Sequence, residues 1–106
     1  MSDYVLLFAG GSMPETKEEQ DAVMAAWTAW FEEMGGSIKD QGNPFTPAVK
    51  SIAPDGSVSQ GPGKGAASGY SIVTADSLDE AVEKAKGCPV LQGGANITVY
   101  EAFEVM

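Results

Sequence analysis

The 106-residue chain contains no histidine. Ser-His-Asp and Cys-His nucleophile pairs are therefore excluded within one chain. Zinc and haem sites of the usual kinds lose their main ligand. Acid–base work near neutral pH falls to a perturbed carboxylate, lysine, tyrosine or thiol. There is one cysteine, Cys88, so no internal disulfide can form. One Cys and no His leave hard oxygen ligands only, and no transition-metal site or cofactor is expected. Positive charge is scarce: six basic residues stand against fifteen acidic ones, a formal charge of −9. Binding to phosphate backbones needs clustered cations, so nucleic acid is not an expected partner. No apolar run is long enough to cross a bilayer. The opening "MSDYVLLFAGG" places an acid where a secretory leader needs basic residues. A cytoplasmic protein with no membrane association is expected.

What is present suits a small globular unit with 43% hydrophobic residues. Residues 15–33 carry Glu15, Glu18, Glu19, Asp21, Glu32 and Glu33 against Lys17, a net −5. Residues 38–68 carry Lys39, Lys50 and Lys64 against Asp40 and Asp55, a net +1. An acidic helix beside a slightly basic loop region is the usable charge pattern.

"DYVLLFA" (3–9) reads as a strand with Tyr4, Leu6 and Phe8 on one face and Val5, Leu7 and Ala9 on the other. Both faces are apolar, so both should be covered. "TKEEQDAVMAAWTAWFEEMGG" reads as a helix opened by a Thr16–Glu19 capping box. Val23, Trp27, Trp30, Phe31 and Met34 share its apolar face, and core packing is favoured over a cofactor platform. Gly35 or Gly36 is expected to cap it in the left-handed conformation. "SIKDQGNPFTP" (37–47) is dense in turn formers. "AVKSIAPDGSVSQGP" reads as strand, turn and strand around Pro54-Asp55-Gly56. "GYSIVTA" (69–75) is a strand. "DSLDEAVEKAKGC" is a second helix capped by Ser77 and Glu80, with Leu78, Ala81, Val82 and Ala85 facing inward. "ANITVYEAFEV" (95–105) is the last strand. With the hairpin-like segment counted as one strand, the order simplifies to βαβ followed by βαβ, an α+β, ferredoxin-like split βαβ arrangement: an antiparallel sheet with both helices on one face. Nothing in the chain is left to cover the other face, and a second copy is the economical cover.

Chemistry-bearing candidates are few. Cys88 follows a helix whose cap falls to Gly87 and which Pro89 stops. The negative end of a helix and the missing histidine make it a packed, inert thiol. "GPGKGA" fails as a phosphate loop, because Val58 and Gly65 stand where Gly and Ser or Thr are needed. Lys64 can still meet an anion as a point charge. Asp40, beside Lys39, suits an Asx turn more than a general base. Asn96, Thr98 and Tyr100 share the polar face of the last strand, opposite Ile97 and Val99. A polar face with an aromatic suits a cleft.

"AAWTAWFEEMGGSIKDQGNPFTP", "DGSVSQGP" and "SGYSIVTADSLDEAVEKAKGCPVLQGG" together resemble the YCII-related family, in its DGPF-type branch. The resemblance covers nearly the whole chain and implies one domain over 1–106, a ferredoxin-like fold and pairing into a dimeric α/β barrel. It also brings a catabolic relative that is a lyase removing chloride from a chlorinated hydroxyquinone. Two departures stand out. The D-G-P-F signature is here Gln60-Gly61-Pro62-Gly63. The family's histidine on the first helix, partner of a post-helix aspartate matched by Asp40, has no counterpart.

The expected function is binding of a small, partly apolar organic anion in the cleft between the sheets of a homodimer. Lys39, Asp40, Lys64, Tyr70, Asn96, Thr98 and Tyr100 are the expected ligand-binding residues. One alternative is a lyase-type enzyme using Asp40 or a tyrosine as acid or base in that cleft. Another is a protein-interaction module presenting the acidic helix.

Overall fold

A computed structural model describes residues 2–11, 15–46, 48–61 and 67–103. The first strand, β1, spans Ser2–Gly10, and helix α1 spans Lys17–Met34. A short strand β2 follows at Ile38–Asp40. Strands β3 (Lys50–Ile52) and β4 (Val58–Gln60) form a hairpin. Strand β5 is Gly69–Ala75, helix α2 is Leu78–Ala85 and strand β6 is Ala95–Ala102. The main sheet is ordered β2-β5-β1-β6, with antiparallel neighbours throughout. This is the ferredoxin-like α+β fold.

The sheet does not take its edge strand from the hairpin. That strand is Ile38–Asp40, inside the segment rich in turn formers, and β3–β4 makes a separate two-stranded sheet. Three residues are too short a run to show alternation. The hairpin itself follows local chemistry. Gly56 takes φ 89°, and the Asp55 carboxylate accepts from the Ser57 backbone and hydroxyl.

The core lies between one sheet face and the helices. Tyr4, Leu6 and Phe8 of β1 and Ser71, Val73 and Ala75 of β5 are buried there. From β6, Ile97 and Val99 pack against the same cluster. On α1, Trp30 is buried, while Trp27, Phe31 and Met34 are partly so. Their rings join Phe8 in an aromatic cluster with centroids 5.5–5.8 Å apart. Val23, expected on this face, is exposed because the inward stripe of α1 begins one turn later. Helix α2 approaches through Ala81 and Ala85, and Leu78 and Val82 stay on its flank. Small side chains let that helix sit close to the sheet.

Both N-caps are as expected: Thr16 accepts from the Glu19 N–H and Ser77 from the Glu80 N–H. The C-termini differ. Gly35 takes φ 53° but ψ −123°, outside the left-handed helical region, and leads into a 3-10 turn. Gly87 is not left-handed. The cap of α2 is Lys86 in a right-handed conformation, and the left-handed glycine is Gly94, after the 3-10 turn Pro89–Gly93. Gly87 serves packing instead: a Cβ there would meet the Trp30 ring at 3.4 Å.

Candidate functional site

The sheet face opposite the helices has no layer over it among the described residues. Alternation along β1 and β5 places Val5, Leu7, Tyr70 and Ile72 there, all half-buried. Register aligns them in rows: Tyr70–Leu7–Thr98, then Ile72–Val5–Tyr100. On β6, Asn96, Thr98 and Tyr100 are exposed on this face. An apolar centre is thus bordered by polar groups.

The β2 edge supplies the charge. Ile38 pairs with Val73, but Asp40 pairs with Ile72, so the register slips by one residue. A bulge re-aims side chains. Ile38 packs inward, while Lys39 and Asp40 both turn to the open face. The Lys39 amine pairs with Asp3 of β1. The Asp40 carboxylate accepts from the Gly42 N–H at 2.8 Å and from the Tyr70 hydroxyl at 3.3 Å. The first contact is the Asx turn expected of this aspartate. The second ties the turn to the sheet.

Gly42 makes the corner possible. Its φ is 72°, and a Cβ there would lie 1.7 Å from the Tyr70 carbonyl oxygen. The chain then runs beside β5, with the Tyr70 N–H donating to the Asn43 carbonyl and a bridge between Pro44 and Gly69. Phe45 comes to rest on Tyr70 at a centroid distance of 5.8 Å, with the rings 25° apart. Phe45 was not among the expected site residues, because a single aromatic between two prolines carries no period. Ser71, buried on the core side, donates to the Gln41 carbonyl.

The expected residues do not converge on one point. Asp40 and Tyr70 touch, and Lys39 stands at the same edge. Asn96, Thr98 and Tyr100 line the far edge strand, three strand spacings from β2, or ~14 Å. A small ligand on one chain meets one group or the other unless it lies across Leu7 and Val5. Lys64 lies outside the described residues.

Two grooves occur in the helix layer instead. One, of about 400 Å³, is lined by Met24, Trp27, Phe31 and Gln41 among others. The second, of about 300 Å³, lies between the helix ends beside Trp30, Ser37 and Lys84. There the Lys84 amine is held by Ser37, the Thr74 carbonyl and Glu80. This lysine is a strut between layers. Cys88 is no site. It is 2% exposed, and burial pushes its thiol up to about 11. Burial, and then the Glu101 carboxylate, also raises the Tyr4 hydroxyl above its ordinary value. No cluster of three or more metal-ligating side chains occurs among the described residues. None of their helices is long and apolar enough to cross a membrane.

No family model matches the chain. No curated protein sequence matches it. Among solved structures it is similar to 5-chloro-2-hydroxyhydroquinone dehydrochlorinase (TftG) from Burkholderia phenoliruptrix AC1100, in complex with 2,5-dihydroxybenzoquinone. The two are 18% identical, with a TM-score of 0.56 over 95% of this chain and 93% of that one. At that identity the likeness establishes the ferredoxin-like fold they share.

Proposed function

We propose that the protein is a YCII-related small-molecule binder whose site is the open sheet face, closed by a second copy of the chain. The bulge at Lys39–Asp40 carries this reading. It turns a cation and a carboxylate onto an apolar face beside Tyr70 and Phe45. A second copy over that face would bury these charges, which is costly unless each finds a partner or a ligand group. The fitting ligand is a planar, partly apolar organic anion, which lies flat on Leu7 and Val5 and meets polar groups at its rim. The relative's ligand, 2,5-dihydroxybenzoquinone, has that chemistry, and the motif resemblance and whole-chain fold match support the family assignment.

The test is a calorimetric titration with 2,5-dihydroxybenzoquinone. Saturable binding is expected, weakened about tenfold by Tyr70→Phe or Asp40→Asn, on the scale of one lost hydrogen bond to a charged group. Lys64→Ala weakens it more at low salt than at high salt. Lys17→Ala, on the exposed helix, leaves it unchanged. Equal losses from Lys17→Ala and Tyr70→Phe would show a nonspecific charge effect and remove the proposal.

One observation favours a lyase-type reading of the same site. The Tyr70 hydroxyl donates to the Asp40 carboxylate, a pair able to pass a proton to a bound ligand. Chloride release from a chlorinated hydroxyquinone, abolished by Tyr70→Phe, is the result that distinguishes catalysis from binding.

A further inference from the structure

The hairpin β3–β4 stands away from the body of the molecule. Its strands are exposed except at Ser51, which is half-buried. Ile52 and Val58 are directly opposed in register, so they share one face. They are 74% and 60% exposed. A lone two-stranded ribbon is marginal in water, and an apolar pair at its tip adds no local support. Lys50 lies on the same face, two residues from Ile52, and pairs with Gln60. It forms no ion pair with a described residue.

Whole-molecule dimensions point the same way. The Cα radius of gyration is 15.2 Å, against ~13 Å for a compact chain of this length. The accessible surface is 7525 Å², against ~5600 Å² for a compact monomer of this mass. The excess exceeds the ~800 Å² per partner of an ordinary interface. The open sheet face alone, three strands of seven to nine residues and one of three, has a projected footprint on the order of 400 Å². Burying the exposed hairpin as well as the sheet face would enlarge the interface beyond sheet pairing alone.

Charge selects a second copy as the occupant. Residues 15–34 hold six acids against Lys17, and residues 76–86 hold four acids against Lys84 and Lys86, so −7 of the −9 lies in and beside the helices. The sheet face and hairpin are close to neutral, with the Asp3–Lys39 pair, Asp40, Lys50 and Asp55. Two copies can meet there without bringing their acidic helices together.

Resting on the sheet-face reading above, we propose that β3–β4 is an intermolecular arm. Ile52 and Val58 of one protomer seat beside Ile72 at the β2 edge of the other's open face, leaving Leu7 and Val5 to the ligand, and Lys50 is delivered to the carboxylates of that edge. Each site is then incomplete in a single chain, and its second cation comes from the partner copy.

Sedimentation velocity on the full chain tests the arm. Wild type is expected at twice the chain mass, and Ile52→Ser/Val58→Ser is expected to raise the dimer dissociation constant at least tenfold with the far-UV spectrum of wild type. A double variant as dimeric as wild type overturns the arm. If Leu7→Asp dissociates that dimer, sheet pairing survives the loss. A second measurement needs no variant. Carbodiimide coupling in a mixture of ¹⁵N-labelled and unlabelled wild-type chains should join Lys50 of one isotope to Asp3 or Asp40 of the other. Inter-chain coupling of Lys50 confined to helix carboxylates, or absent, overturns the arm. The quinone titration decides the ligand reading separately.

Discussion

Gly42 is the residue on which the site depends most directly. Two constraints meet there, a positive φ and a backbone contact that leaves no room for a Cβ. An alanine would need both a strained conformation and displacement of the Tyr70 carbonyl, which is part of β5. The expected cost is about 1–3 kcal/mol. Because the displaced atom belongs to Tyr70, the Tyr70–Asp40 bond should be lost with it. Gly42→Ala should therefore lower the melting temperature and weaken quinone binding together, measured by thermal denaturation and titration of the same sample. Gly36→Ala is the comparison, since open space surrounds that Cβ and its φ is not positive. It should change neither.

At the scale of the element, α2 shows how a short helix is held. Its Ser77 cap, the Glu80 side chain and Lys84 form one connected end. Glu80 accepts from the Asp76 N–H at 3.1 Å and pairs with Lys84 at 3.1 Å. The Asp76 N–H first, and Lys84 next, hold the Glu80 carboxyl below its ordinary value of 4.5. A lowered native value means that the unfolded chain binds more protons in that window. Stability from this group is thus complete above 4.5 and disappears as the pH falls through the native value. Denaturant titrations of wild type and Glu80→Gln should differ at pH 7 and converge as the pH falls below 4.5 through the native value. A difference that persists unchanged into acid would place the stabilisation elsewhere. The hairpin is the opposite kind of element. Its turn is specified locally by Pro54, Asp55 and Gly56, yet its apolar face finds no seat within the described chain.

The whole molecule measures 43 × 39 × 18 Å, two layers thick and broad for its mass. A small domain with one apolar face uncovered by its described residues is short of buried area. Association that covers that face adds to stability by mass action. The melting temperature should accordingly rise with protein concentration. Between 1 and 100 µM the added stabilisation approaches ~2.7 kcal/mol per dimer, about half that per chain, once the dimer is saturated. Calorimetric scans over that range check this, and a concentration-independent transition would identify a protein stable as a monomer.

The sequence by itself determined the elements with strong local signals. A short apolar run placed β1, β-propensity placed β5 and alternation of its faces described β6, capping boxes placed both helix starts, and Pro54-Asp55-Gly56 placed the hairpin turn. It also pointed to Cys88 as packed rather than reactive, since the negative end of a helix in a chain without histidine does not activate a thiol. These features depend on neighbours within a few residues. Only the tertiary structure decided which strand completes the sheet. Ile38–Asp40 holds that place through its pairing with β5, thirty residues away, and three residues carry no period. The bulge that aims Lys39 and Asp40, the seat of Phe45 on Tyr70 and the packing role of Gly87 against Trp30 share that cause. Each depends on contact between segments distant in the chain, and such contacts leave no pattern in the local order of residues.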